Sequence, residues 1–277
     1  MPGFGWALSA VARYLRLKPN ASAQSLYQLM HLHRPLEAEM RLLVSVVDRL
    51  EAQEAVRGGA DIIDVKNPSE GALGAQPPQV IREVSAVLPP RYELSATIGD
   101  LPNLPGTASL AALGAAVAGA DYVKAGLLGV STMDEAVKLL AAIVEALEGY
   151  RHGKRAVAAG YGDHRAFGSL PPVLLPSAAA KAGCYGILID LKTKGSGKLF
   201  GYCGEEELRS LIREAHGLGL KVALAGGLEE SDIARVAALE ADILGIRRAV
   251  CNSRDWVGGR LDGRLVSRFK EALQRLT

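Results

Sequence analysis

The chain lacks most of what would tie it to a metal, a membrane, a nucleic acid or an oxidising compartment. Its cysteines, Cys184, Cys203 and Cys251, are scattered and odd in number. That pattern excludes a disulfide framework and points to a reducing, cytoplasmic setting. Their spacing fits no zinc pattern, and no histidine pairs at ligand spacing with an acidic partner, so no metal site is expected. No apolar run approaches the length that spans a bilayer, and membrane association is not expected either. A glycine-rich dinucleotide fingerprint is missing from the first strand–helix turn, and no cofactor is called for. Nor is there a basic stripe of the kind that nucleic-acid binding requires.

Excess charge of one sign is missing too. The first 39 residues carry four basic and two acidic groups of the chain's 32 and 30, which leaves the body formally neutral. An anionic substrate would therefore be met by a few placed cations rather than by a global field.

Residues 1–39 read differently from the rest. The stretch from Phe4 to Lys18 is apolar and basic without an acid, as in a targeting presequence or a helix lying on a membrane surface. The alternative is a translational extension upstream of a true start at Met40, where a strand begins at once. The apolar stretch is short and interrupted for a signal, so the second reading is preferred. On either reading residues 1–39 stand outside the fold, and residues 40–277 form one catalytic domain.

What is present is a repeat of strand and helix. Apolar, β-branched runs start near Arg41, Asp61, Tyr92, Tyr122, Lys154, Gly186, Lys221 and Ile243, each followed by a helical pattern. Four junctions echo one another: Gly-Gly-Ala-Asp61, Ala-Gly-Ala-Asp121, Lys-Ala-Gly-Cys184 and Leu-Glu-Ala-Asp242. Each leads into an even-numbered strand. Eight alternating pairs at roughly 30 residues each predict a single (β/α)8 TIM barrel with a short N-terminal extension.

In such a barrel, chemistry sits at the C-terminal ends of the strands. The stretch Asp61-Ile-Ile-Asp-Val-Lys-Asn-Pro68 delivers Lys66 there, just before a proline stop and a glycine-loosened loop. The same reasoning selects Lys124 on the fourth strand and Asp190 on the sixth, with Lys194 in the loop after it. Lys66, Lys124 and Asp190 all come from even strands, which contribute to one layer of side chains. Crowded ammonium groups depress the pKa of at least one, and the free amine can then attack a carbonyl. Asp190 would hold a remaining ammonium or shuttle protons. The array suits Schiff-base chemistry on a sugar phosphate, although Lys124 and Lys194 could equally serve as point charges for phosphate. Phosphate contacts are expected from Ser45, from Gly226 and Gly227 after the seventh strand, and from Arg247 and Ala249 after the eighth. His164, Tyr161 and Cys251 also fall near strand ends; the simpler roles for them are solvation and packing.

Several ordered motifs carry a family resemblance. They are Gly59-Ala-Asp-Ile-Ile-Asp-Val-Lys-Asn-Pro68, Ser95-Ala-Thr-Ile-Gly-Asp100 and Gly106-Thr-Ala-Ser-Leu-Ala-Ala-Leu-Gly-Ala-Ala116. Ala158-Ala-Gly-Tyr161, Asp190 with Lys194, and Ala223-Leu-Ala-Gly226 follow. From Met40 onward the chain resembles the (5-formylfuran-3-yl)methyl phosphate synthases, also called 4-(hydroxymethyl)-2-furancarboxaldehyde-phosphate synthases. The resemblance implies a class I aldolase-like lyase that condenses two molecules of glyceraldehyde 3-phosphate, with loss of phosphate and water. Its furan product becomes part of a methanofuran-type one-carbon carrier. It also implies that the family's Schiff-base lysine falls on Lys66, and its other catalytic positions on Lys124, Asp190 and Lys194. Where the family usually has glycine after the eighth-strand arginine, this chain has Arg248. Another phosphate-binding barrel aldolase or epimerase, or a non-catalytic barrel that binds sugar phosphate, are the alternatives. The expected partner is a small triose phosphate. Many barrels of this size self-associate, and the sequence leaves a homo-oligomer open.

Overall fold

The structure is a computed structural model that describes residues 40–150, 153–193, 195, 197–253, 255 and 257–276. The N-terminal segment and Lys194 lie outside the described residues.

Eight strands close into one parallel barrel in sequence order, with the first paired to the last. They are β1 (Arg41–Val46), β2 (Ile62–Val65), β3 (Glu93–Pro102), β4 (Tyr122–Gly129), β5 (Arg155–Tyr161), β6 (Gly186–Asp190), β7 (Lys221–Leu224) and β8 (Ile243–Ile246). The helices between and after them are α1 (Arg49–Arg57), α2 (Pro78–Val87), α3 (Pro105–Val117), α4 (Met133–Tyr150), α5 (Leu175–Lys181), α6 (Glu205–Gly217), α7 (Ile233–Ala238) and α8 (Gly263–Gln274). The predicted barrel is the observed one.

Two-residue periodicity sorts each strand between two environments. On β1, Leu42, Val44 and Val46 join the large core between strands and helices. Leu43 and Ser45 turn the other way and line the open cleft within the barrel. Alternate residues of β2, β4 and β6 therefore share the interior.

The echoed junctions have a common purpose at the base of the barrel. Asp61 donates its backbone N–H to Leu42 and accepts the Leu42 amide on its carboxylate at 2.7 Å. Asp121 does the same with Leu94 at 3.0 Å, and Asp242 with Val222 at 2.8 Å. Each aspartate thus clamps the start of an even strand onto the preceding odd one. A cation covers each carboxylate: Lys270 on Asp61, Lys154 on Asp121 and Lys221 on Asp242. At the fourth junction Tyr185 takes this place, its ring 5.4 Å from that of Tyr122.

β3 and β4 run further than their apolar runs suggest. Past Thr97 the register shifts, and Asp100 pairs with Gly126 and Pro102 with Gly129. Gly99 absorbs the irregularity with φ +114°. As a result Lys124 is the third residue of an eight-residue strand. It stands inside the barrel wall, not at a strand end.

Candidate active site

The base of the cleft is a buried ion pair. Lys124 Nζ lies 2.7 Å from Asp64 Oδ2, with the two side chains 6% and 0% exposed. Ser45 Oγ donates to the same oxygen at 2.9 Å. Asp64 is the middle member of the inward-facing series Ile62, Asp64, Lys66 along β2 and the residue just after it. Its Oδ1 is buried without a hydrogen-bond partner. A charge pair this dry requires close geometry, because both partners lose their hydration.

Lys66 and Asp190 stand over this pair. Both are almost fully buried, yet both line the same cleft as Lys124 and Ser45. Lys66 follows the last residue of β2, and its Nζ reaches the carbonyl of Ala72 at 3.5 Å. Asp190 ends β6 and accepts the Leu191 amide at 2.7 Å, which fixes one carboxylate oxygen. Asp64 was not among the residues picked from the sequence. The signal was available: an acid at an inward position of an otherwise apolar strand, two residues before the lysine.

Beside the cleft, a second polar network braces the loops. Tyr161 donates to Asp100 Oδ1, and Lys192 Nζ lies 3.0 Å from Asp100 Oδ2. Burial first, then the neighbouring Asp100, push the Tyr161 phenol well above its usual range, so it stays a donor. Asp163 accepts the amides of Lys192 and Thr193, each at 2.8 Å, and anchors the start of the loop after β6. Thr97 Oγ1 donates to the Gly74 carbonyl at 2.6 Å and ties down the loop after β2. Asp48 caps α1 and meets Arg260. Of these residues Thr193 alone lines the cleft.

The expected phosphate contacts divide. Ser45, Gly226 and Gly227 line the cleft, and both glycines have positive φ. A Cβ on Gly227 would approach the Gly197 carbonyl to 2.8 Å, so this turn requires glycine. Arg247 reaches the cleft wall, but its guanidinium is committed elsewhere. It binds Glu51 at 2.7 Å, the Ser45 carbonyl at 3.1 Å and the Gly259 carbonyl at 3.3 Å, with side chains 2% and 1% exposed in the ion pair. Glu51 is also held by the Val47 and Leu261 amides. Ala249 lies on a neighbouring groove with Glu229, Glu230 and Arg268, not on the cleft.

The three cysteines are buried and apart from this chemistry. Burial raises the Cys184 thiol to about 12 and the Cys203 thiol to about 11, and it raises that of Cys251 as well. Among the described residues no cluster of His, Cys, Asp and Glu could hold a metal ion, and no helix is long and apolar enough to cross a membrane.

Fold and site together define a (β/α)8 barrel whose mouth gathers amines and carboxylates over a glycine turn suited to an anion. Known proteins narrow the class. The model of the 4-HFC-P synthase family matches residues 42–270, and the chain belongs to that family. The (5-formylfuran-3-yl)methyl phosphate synthase of Methanopyrus kandleri is 47% identical over 233 residues, covering 84% of this chain and 98% of the relative. The protein of that name from Methanocaldococcus jannaschii is 45% identical, covering 84% and 99%. That from Archaeoglobus fulgidus is 49% identical, covering 76% and 91%. Among solved structures, 3-hexulose-6-phosphate synthase from Salmonella typhimurium superposes with a TM-score of 0.59 at 18% identity, covering 86% of this chain and 100% of that one. Phosphoribosyl anthranilate isomerase from Thermus thermophilus gives 0.58 at 20%, with the same coverage. At such identities these neighbours speak for the fold alone.

Proposed function

We propose that this protein is a (5-formylfuran-3-yl)methyl phosphate synthase, a carbon–oxygen lyase that condenses two molecules of glyceraldehyde 3-phosphate through a Schiff base on Lys66. The observation that carries the reading is the convergence of Lys66, Asp190 and the Lys124–Asp64 pair in one cleft of a barrel from this family. One triose phosphate, isomerised to its ketone form, condenses with the Lys66 amine and loses a proton to become an enamine. The enamine carbon attacks the aldehyde of the second molecule. Asp190 and Lys124 move the protons, while Asp64, itself held by the Ser45 hydroxyl, positions the Lys124 side chain. Hydrolysis of the Schiff base frees Lys66, and loss of phosphate and two molecules of water gives the furan ring, whose aromaticity makes the sequence irreversible. Lys194, together with the turns after β7 and β8, would neutralise phosphate charge. The furan product would feed synthesis of a methanofuran-type carrier.

The direct test is incubation of the purified chain with glyceraldehyde 3-phosphate. Release of inorganic phosphate in step with a furan ultraviolet band is the expected outcome. Phosphate release without the band, or no turnover, would refute the assignment. Lys66→Ala is expected to abolish both signals.

A further inference from the structure

The body of the chain has no net charge to attract an anion, so its cations must be placed, and the structure shows which are already spent. On the rim formed by the turns after β7 and β8, Arg247 is neutralised by Glu51. Lys198 lies 3.0 Å from Glu229 and 2.9 Å from Asp232. Arg268 lies 2.7 Å from Glu230. The acids of this rim are thereby taken as well. Arg248 is the exception: it has no hydrogen bond or ion pair from its side chain to any described residue. It is half-buried and lines the cleft alongside Ser45, Lys66 and Asp190.

Its position is as informative as its lack of a partner. The Arg248 Nη2 atom would lie 3.3 Å from a Cβ placed on Gly227, so the guanidinium sits over that turn. The Gly226 carbonyl is occupied by the Leu199 amide at 2.8 Å. The amides of Gly226 and Gly227 donate to no described residue. A planar five-donor cation next to two unused backbone donors matches a tetrahedral dianion, which accepts bidentate hydrogen bonds from arginine and further ones from amides. A neutral hydroxyl group would leave the guanidinium charge unanswered.

We infer that Arg248 grips a substrate phosphate over the Gly226–Gly227 turn and selects phosphorylated over neutral substrates, whereas Arg247 is a structural group. This rests on the phosphate-ester chemistry proposed above and assigns one contact within it. The residue is a binding and specificity determinant, since it sits with the anion turn and not with the Lys124–Asp64 pair.

The test is binding of inorganic phosphate to the full chain by calorimetry, comparing wild type with Arg248→Gln, Arg248→Lys and Arg268→Gln. A charge-assisted contact of this kind predicts an affinity loss of about 10- to 100-fold for Arg248→Gln. Arg248→Lys keeps the charge but loses the fork and should fall between. Arg268→Gln, which removes a cation from the neighbouring groove that Arg248 also borders, should bind as wild type because the anion sits on the Gly226–Gly227 side. In kinetics with glyceraldehyde 3-phosphate, Arg248→Gln should raise KM by a similar factor and lower kcat much less. Thermal melts check folding, which should persist because no described contact is removed. Undiminished phosphate binding by folded Arg248→Gln, or no phosphate binding by wild type, would overturn the inference. Should wild type bind phosphate through Arg248 yet fail to make a furan, the proposed reaction falls and the phosphate contact stands.

Discussion

Removing the carboxylate beneath Lys124 should cost the protein much of its stability. In Asp64→Asn the Ser45 hydroxyl keeps an amide oxygen to donate to, so the change is chiefly one of charge. The Lys124 ammonium, 6% exposed and 2.7 Å from the Asp64 carboxylate, is left buried without that counter-ion. Breaking one side of such a pair costs about 3–5 kcal/mol, a large part of the roughly 5–15 kcal/mol that holds a domain folded. Lys124→Met should cost a comparable amount by stranding Asp64. The double variant Asp64→Asn/Lys124→Met buries neither charge and should be more stable than the sum of the singles implies, by about 2–3 kcal/mol. Its synthase activity should nonetheless be absent. Urea denaturation at pH 7, followed by circular dichroism, measures all four species. Single costs below about 1 kcal/mol, or strictly additive costs, would refute the argument that the pair is a dry, coupled unit.

Two further perturbations follow from the same geometry. Arg247→Met takes the nearer of two cations from the buried Glu51, leaving Arg260 at 3.6 Å, and should destabilise by about 3 kcal/mol, while leaving phosphate affinity close to wild type; an affinity loss matching that of Arg248→Gln would contradict the division of labour between the two arginines. At the base, burial alone would raise the Asp242 carboxyl, but Lys221, the Val222 amide and His216 outweigh it and hold it below its usual value. Its contribution is then present above the unfolded carboxylate range near pH 3.9 and is lost as pH falls through that range towards the folded pKa. Asp242→Asn should accordingly flatten the acid limb of the stability–pH curve below about pH 4; an unchanged slope would mean that other carboxylates control acid unfolding.

The barrel was legible because its periodicity is unambiguous and its Ala-Asp junctions recur, and the structure gives those aspartates a shared clamp at the strand starts. Lys66, Lys124 and Asp190 could be brought to one cleft because alternate strands share an interior face. What stayed hidden depended on partners distant in sequence. Asp64 looked like an interruption in an apolar run until Lys124 on the second strand beyond it supplied the charge. Arg247 resembled a phosphate ligand until Glu51, 196 residues earlier, claimed its guanidinium. The apolar run that marks the fourth strand is short, whereas β4 continues to Gly129 because β3 bulges to pair with it. Arg248, noted first only as an unexpected neighbour of Arg247, gained meaning once the acids around it proved to be taken.

A covalent bond between the Lys66 amine and substrate is open to capture by reductive trapping. Borohydride added with glyceraldehyde 3-phosphate should fix a triose-phosphate adduct, and peptide mass mapping should locate it on Lys66. Lys66→Ala should yield none, whereas Lys124→Met should still be labelled if its role is proton transfer. An adduct on another lysine, or labelling that survives in Lys66→Ala, would contradict the account.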